Sequence, residues 1–526
     1  MDTTNTFKRI NRERKLRKFH QAKWDEPIIF ELSKEGERGI GIPKADEKIA
    51  ECVGDGVSKI PESMKRKKEP NLPEVAQARV LMHFLHLSQE TLGADLNIDI
   101  GQGTCTMKYS PKINEQISRI PKMTEIHPLQ DESTVQGILE VMYNLDLIMR
   151  EISGMDRFSF QSGGGSQAAM LMASIVRAAH KANGDEKRDE IITTIFSHPS
   201  DAAAYALMGY KIITIYPDKD GYPDLEALKG ALSSKTAGLV ITNPEDTGVY
   251  NPRIKEFTAL VHNAGGICAY DQANANGLLG ITRAREAGFD MCFFNLHKTF
   301  STPHGCGGPA TGAVGVTKEL ERFLPIPQVE FDGDKYYLDY NIPDTVGKVR
   351  SFYGVPQVML KAYSWIRSLG TEGLYEVAKV AVLNNNYLYK KVTEIKGVEA
   401  PYAKGRQRVE QVRYSLNTLT KDTGVTSEDV QRRMFDYGMH YWTSHHPYIV
   451  PQPFTLEPTE SYSKDELDEY IEVLEQISKD SYENPELIKG APYNSVVHRI
   501  DETTLDDPEK WAITWRAYLK KTIKDE

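Results

Sequence analysis

From Ile191 onward, short apolar runs rich in β-branched residues alternate with stretches whose apolar residues recur every three or four positions. The short runs predict strands, and the intervening stretches predict helices. The predicted strands are Ile191–Phe196, Lys211–Tyr216, Gly238–Thr242, Ile267–Tyr270, Met291–Phe294 and Ala313–Val316. The predicted helices are Asp201–Met208, Asp224–Leu232, Arg253–Ala264 and Arg283–Ala287. Strands separated by single helices indicate an α/β fold with a mainly parallel, doubly wound sheet.

The pattern differs on either side of this region. Further helices are predicted at Val75–Leu87, Glu132–Ile152, Ala168–Ala179, Val355–Leu369, Glu372–Val392 and Lys464–Ile477, and a strand at Arg413–Leu416. At 526 residues the chain is too long for one compact core. We therefore expect three parts: an N-terminal arm and helical segment (1–128), a large domain (129–346) and a small C-terminal α+β domain (347–526). No fold is predicted for residues 485–526.

Composition excludes several classes of protein. The net charge of −10 argues against general nucleic-acid binding. No apolar run approaches the roughly 20 residues that span a bilayer, and the N-terminus lacks the apolar core of a signal peptide. The five cysteines form neither a disulfide framework nor a zinc spacing, so no metal site is expected. A cytoplasmic protein is the default expectation.

Residues capable of chemistry follow four of the predicted strands. These are His198, Asn243 before Pro244, Asp271 and Lys298. Taken singly, each has a commoner interpretation as a capping, turn or surface residue. Because ligands of open α/β sheets bind at the carboxyl ends of the strands, their shared position favours one site. Lys298 lies in a stretch without an acidic residue after Asp290, which predicts a site that discourages its protonation, as Schiff-base chemistry requires.

A glycine run, Gly163–Gly165, precedes Ser166, Gln167 and a predicted helix. Free backbone N–H groups and the positive end of a helix dipole make such a turn a candidate phosphate cradle, although the signal is weak alone. Cys105 has two interpretations, a nucleophile or a small buried residue, and the second is favoured because no histidine is near it in sequence.

Together these residues suit pyridoxal 5′-phosphate. Lys298 would hold the cofactor, Asp271 would keep its ring nitrogen protonated, and His198 would stack on the ring or act as an acid or base. The expected catalytic residues are Lys298 and His198. The expected cofactor-binding residues are Lys298, Asp271, Gly164, Gly165, Ser166, Gln167, His198, Asn243, Asn274 and His297.

The segment Asn295–Gly305 closely resembles the cofactor-lysine motif of the glycine cleavage system P-protein family. The resemblance extends over roughly residues 24–500, through Ile29–Ser33, Cys105–Tyr109, Pro111–Glu115, Glu151–Asp156, Arg350–Gly354 and Glu457–Glu460. It implies the aspartate-aminotransferase fold (fold type I) and the decarboxylation of glycine, with transfer of the aminomethyl group to the lipoyl arm of H-protein. It also implies the split form of the enzyme, in which this chain would be subunit 2, paired with subunit 1 in a heterotetramer.

The sequence departs from the family pattern at several positions around the expected site. Ser162–Ala169 lacks the family's glutamate, Pro199–Asp201 replaces Gly-Thr-Asn, and Gln272, Cys306 and Ala310 replace glycines. Three hypotheses follow. The first is glycine decarboxylase subunit 2, and the second is a divergent paralogue with another pyridoxal-phosphate reaction on a different amino acid. The third is a non-catalytic structural partner, against which Lys298 and Asp271 count.

Overall fold

The computed structural model describes residues 15–93, 96–305, 309–440, 449–500, 507 and 514–522. The chain divides into two compact units. The first comprises Met1–Arg17, Asn97–Met434 and Met439–Gly490, and the second comprises Lys18–Leu96, Phe435–Gly438 and Ala491–Glu526. The three-part division at residues 128 and 346 stays a prediction.

A seven-stranded sheet forms the centre of the first unit. Its strands are β1 (Arg157–Ser162), β2 (Glu190–Thr194), β3 (Lys211–Ile215), β4 (Thr236–Thr242), β5 (Ile267–Asp271), β6 (Met291–Asn295) and β7 (Gly312–Val316). They lie in the order β1-β7-β6-β5-β4-β2-β3. β7 pairs antiparallel with both of its neighbours, and the pairs from β6 to β3 are parallel. The mainly parallel sheet is therefore as predicted.

Helices cover both faces of this sheet. They are α5 (Gln136–Ser153), α6 (Gly165–Ala182), α7 (Pro199–Leu207), α8 (Leu225–Ala231), α9 (Ile254–Asn263) and the single turn α10 (Leu296–Thr299). β6 shows the double burial: Cys292 and Phe294 join one hydrophobic cluster, whereas Met291 and Phe293 join the other. A central parallel strand is buried on both faces, so its sequence reads as a continuous apolar run.

Two predictions about this region are wrong. Residues 283–287 form turns rather than a helix. β1 was not predicted, although apolar and polar residues alternate along Phe158–Gln161 in the sequence. All six residues of the strand are buried, including the polar Ser159, Gln161 and Ser162, so neither face is solvated.

The remaining elements of the first unit surround the sheet. The helices are α3 (Lys112–Ser118), α4 (Pro121–Thr124), α11 (Pro356–Val392), α12 (Asn417–Thr423), α13 (Ser427–Phe435), α14 (Lys464–Glu483) and α15 (Pro485–Lys489). The strands form two antiparallel pairs, β8 (Gln328–Phe331) with β9 (Tyr336–Asp339), and β10 (Val412–Ser415) with β11 (Pro453–Leu456). α11 contains a non-helical residue, Gly370 with φ 66°, which agrees with the two helices predicted there.

The second unit contains α1 (Glu47–Val53), α2 (Gln77–Gln89) and α16 (Trp515–Thr522). Among the described helices, none combines the length and apolar composition needed to cross a bilayer.

Candidate active site

Lys298 and Asp271 lie together at the carboxyl edge of the sheet. Asp271 ends β5, and Lys298 lies in α10, directly after the neighbouring parallel strand β6. Asp271 is 6% exposed and Lys298 is 5% exposed. Both line a cavity of about 510 Å³, the main cavity, and a smaller adjoining one, the side cavity. The backbone N–H of Ala273 donates to Oδ1 of Asp271 at 2.7 Å, which fixes that carboxylate.

The charge environment of Lys298 differs from the sequence expectation. Burial acts to lower the pKa of Lys298, but electrostatic interactions with Cys105, Asp271, Glu457 and Asp246 outweigh it, so the pKa is raised. The expectation that the site discourages the protonation of Lys298 is therefore wrong for the chain without a ligand. The acidic neighbours come from distant segments, which the local sequence could not reveal.

The glycine run forms the turn between β1 and α6. Oε1 of Gln167 accepts from the N–H of Gly163 at 2.6 Å, and Nε2 of Gln167 donates to the carbonyl of Val349 at 2.7 Å. A Cβ at Gly165 would lie 2.9 Å from Nδ2 of Asn295, so a side chain there would force the turn to shift. The N-terminus of α6 lines the main cavity, with Gly164, Gly165, Ser166 and Gln167.

Arg350 supplies a cation beside this turn and was not identified as a site residue from the sequence. It lines the main cavity, and its Nη1 would lie 2.9 Å from a Cβ at Gly163. Nη1 donates to the carbonyl of Ala310 at 3.4 Å, and no carboxylate of the described residues pairs with the guanidinium. A half-buried arginine beside a helix N-terminus forms a site for an anion. The sequence did contain a signal for Arg350, because this residue begins the family motif Arg350–Gly354.

Two predicted histidines line the main cavity. His198 is the N-cap of α7, and its Nδ1 accepts from the N–H of Ser200 at 3.1 Å, which leaves the proton of the neutral ring on Nε2. Burial and the charge of Lys298 lower the pKa of His297 to about 3. His297 is therefore a neutral group at physiological pH.

Asn243 and Asn274 line the side cavity rather than the main one. Oδ1 of Asn243 accepts from the N–H of Asn251 at 2.7 Å, so this side chain holds the loop after β4. Nδ2 of Asn274 donates to Oε1 of Glu457 at 2.5 Å. Both amides thus already have protein partners.

Four acidic residues of the site were not among the predicted site residues. Asp246 lines the side cavity. Glu410 lines the side cavity, and burial raises its pKa to about 7. Glu457 is fully buried beside Asn274. Asp201, noted only as a departure from the family pattern, is fully buried against the carboxyl group of Asp271.

Cys105 lines the main cavity and is half-buried, so the favoured interpretation as a small buried residue is wrong. Cys306 lies outside the described residues. Of the predicted site residues, His198, Asp271 and Lys298 line both cavities, and each of the others lines one.

Comparisons with known proteins agree with this geometry. Residues 152–416 match the family model described as aminotransferase class-V, and residues 377–492 match the glycine dehydrogenase C-terminal domain. A crystal structure of the glycine decarboxylase (P-protein) of the glycine cleavage system, in inhibitor-bound form, superposes with a TM-score of 0.68 at 19% identity. The match covers 83% of this chain and all of that one. The predicted fold class is confirmed.

Curated relatives match over nearly the full length. A probable glycine dehydrogenase (decarboxylating) subunit 2 from Pyrococcus horikoshii is 44% identical, over 97% of this chain and 99% of the relative. One of the same name from Caldanaerobacter subterraneus is 45% identical, over 90% of this chain and 96% of the relative. The resemblance found in the motifs is thereby confirmed, and the chain belongs to the family of glycine dehydrogenase (decarboxylating) subunit 2.

Proposed function

We propose that this chain is the pyridoxal phosphate-bearing subunit of a glycine dehydrogenase that decarboxylates glycine. The observation that carries the proposal is the convergence of Lys298 and Asp271 on one cavity that the α6 turn and Arg350 also line. Full-length relatives that bear this enzyme's name favour glycine over the divergent-paralogue alternative.

The residues of the main cavity fit the cofactor. The N-terminus of α6, Ser166 and the cation of Arg350 would hold the phosphate, because together they offer N–H and O–H donors and a positive charge. Asp271 would face the ring nitrogen, and Lys298 would hold the aldehyde carbon. Oδ1 of Asn295 and Nδ1 of His297 are buried without partners among the described residues, so polar groups on this cavity await a ligand.

Pyridoxal phosphate, when bound, supplies an electron sink into which the electrons of a breaking bond at an amino acid's α-carbon can move. The protein's part is to orient and to protect. Asp271, held by the N–H of Ala273, would keep the ring nitrogen protonated. His198 would lie against the ring, with its Nε2–H pointing away from Ser200. The buried walls at Phe293 and His297 would exclude water from the reacting carbon.

Glu410 is the residue we propose as the proton carrier of the site. Its pKa, raised by burial to about 7, lets the carboxyl group hold or release a proton near neutral pH. It lies on the side cavity with Lys298, within the same pocket system as the reacting amine.

The partners we propose are subunit 1, in a heterotetramer, and a lipoyl H-protein that accepts the aminomethyl group. The relatives' name, subunit 2, supports a partner subunit. We also propose a cytoplasmic location, which the unpaired state of Cys52, Cys105, Cys268 and Cys292 supports.

The test is the exchange of labelled bicarbonate into the carboxyl group of glycine, with this chain, subunit 1 and H-protein combined. We expect exchange with the wild type, none with Lys298→Ala, and normal exchange with Lys318→Ala, a control lysine that is 77% exposed at its side chain. Exchange that survives in Lys298→Ala contradicts the assignment. A wild type that binds the cofactor but is inert with glycine favours the divergent paralogue.

A further inference from the structure

Asp201 is a buried acid with no role in the chemistry described so far. It lies in the first turn of α7, three residues after His198, and is 0% exposed. It lines neither cavity, whereas Asp271 lines both. Any effect of Asp201 on the site must therefore pass through another residue.

The carboxyl group of Asp201 faces another carboxyl group rather than a donor. Neither of its oxygens accepts a hydrogen bond from an N–H or O–H of the described residues. Its hydrogen-bonding contact is with the side chain of Asp271. Two buried carboxyl groups in hydrogen-bonding contact need one proton between them, because two carboxylates there would repel each other strongly.

The other groups that face Asp201 do not change this conclusion. Lys298 is the cation in range and acts to stabilise the ionised form, and the hydroxyl of Tyr205 lies on the same helix. The dipole of α7 also favours an anion in the first turn, but no N–H from the described part of the chain reaches the oxygens. Burial, followed by the charge of Asp271, raises the pKa of Asp201 well above its ordinary value.

We propose that Asp201 is a neutral carboxylic acid at physiological pH that donates its O–H to Asp271 and so positions the carboxylate that faces the cavity. Asp271 then receives donors from two directions, the N–H of Ala273 and the O–H of Asp201. Asp271 itself lines the main cavity. The pair carries a single negative charge, which one cation, such as a protonated ring nitrogen, balances. Asp201 is thus a positioning residue. The proposal rests on the pyridoxal site proposed above.

Two substitutions separate the hydrogen bond from the charge. Asp201→Asn keeps the shape and an N–H donor but cannot ionise, whereas Asp201→Ala removes the donor. We expect Asp201→Asn to bind pyridoxal phosphate within about threefold of wild type. We expect Asp201→Ala to bind it at least about tenfold more weakly, since a hydrogen bond to a charged group is lost. Affinity is measured by the visible absorbance of the bound cofactor, and thermal unfolding verifies that both variants are folded.

The protonation state is tested without the cofactor. Infrared spectra of wild type and Asp201→Asn, both labelled with ¹³C-aspartate, are subtracted at pH 7. We expect the difference to contain the carbonyl stretch of a protonated carboxylic acid. Because the label excludes glutamates and the buried Asp146 is common to both proteins, the band reports on the proton held by the Asp201–Asp271 pair.

Several results would overturn the proposal. One is a difference spectrum with carboxylate bands and no acid band. Another is an Asp201→Ala variant that binds the cofactor as tightly as wild type. A third is an Asp201→Asn variant as weak as Asp201→Ala, since an amide donor would then not replace the acid. A wild type that binds no pyridoxal phosphate refutes the proposed function instead, and the infrared measurement still decides whether the Asp201–Asp271 pair holds a proton.

Discussion

Glu245 is a buried acid whose ionisation the fold opposes. It lies in the loop after β4, is 2% exposed, and its Oε1 has no hydrogen-bond partner among the described residues. Burial raises the pKa of Glu245 from 4.5 to about 8, although a hydrogen bond with Thr194 acts in the opposite direction. At neutral pH the folded protein therefore holds a proton that the unfolded chain has released.

The sign and size of the effect on stability follow from this difference. The pKa is raised on folding, so its contribution to stability is fully present below about pH 4.5 and is lost as the pH rises towards 8. At about 1.4 kcal/mol per pH unit, the loss over that interval is roughly 5 kcal/mol. Glutamine has nearly the same shape and does not titrate, so Glu245→Gln removes this pH-dependent loss.

The assay is urea unfolding of wild type and Glu245→Gln at several pH values from 5 to 9. Other groups that titrate, including Glu410, are common to both proteins and cancel in the difference. We expect the free energy of unfolding of the variant, relative to that of wild type, to increase by roughly 3–5 kcal/mol between pH 5 and pH 8.

A difference between the two proteins that stays constant over this range would refute the reasoning. It would mean that Glu245 reaches water or a cation in the folded state and ionises normally. A variant that loses stability relative to wild type as the pH rises would contradict the sign of the argument.

The other predictions concern the cofactor turn and backbone geometry. Gly165→Ala places a methyl group 2.9 Å from Nδ2 of Asn295 and should weaken pyridoxal phosphate binding about tenfold in a spectroscopic titration; unchanged affinity would show that the turn adapts. Arg350→Ala should weaken the binding of pyridoxal phosphate by about 10–100-fold, and Arg350→Lys, which keeps the positive charge, should weaken it less. Equal losses of affinity in the two variants would argue against a charge contact. Gly248→Ala should cost about 2–4 kcal/mol in urea unfolding, because its Cβ would lie 1.8 Å from a backbone carbonyl oxygen at φ 76°. Gly405→Ala, at φ 77° with open space around it, should cost about 1 kcal/mol, and similar values for the two would refute the steric argument.

The sequence predicted the part of the site that strand order determines. Parallel strands end at one edge, so His198, Asp271 and Lys298 had to meet once β2, β5 and β6 were recognised. The place of the glycine turn was predictable for a similar reason, since a glycine run that leads from a strand into a helix also lies at the carboxyl edge of the sheet. These inferences need only the order of elements along the chain.

The remaining residues of the site depend on contacts between distant segments. Glu410 comes from the segment before β10, and its contact with the site has no local pattern. Asp201 sits on a predicted helix, but its contact with Asp271 depends on how α7 packs beside the sheet. The charge around Lys298 was misjudged for the same reason, because its acidic neighbours are remote in sequence.

Lys298 is the residue to which we propose that pyridoxal phosphate is attached. The direct measurement is reduction of the cofactor-loaded chain with borohydride, followed by digestion and tandem mass spectrometry. We expect a phosphopyridoxyl group on Lys298. Lys108 is the sharpest internal comparison, since it is also buried and burial lowers its pKa. A label on Lys108, or on no lysine of a coloured protein, would contradict attachment of the cofactor to Lys298.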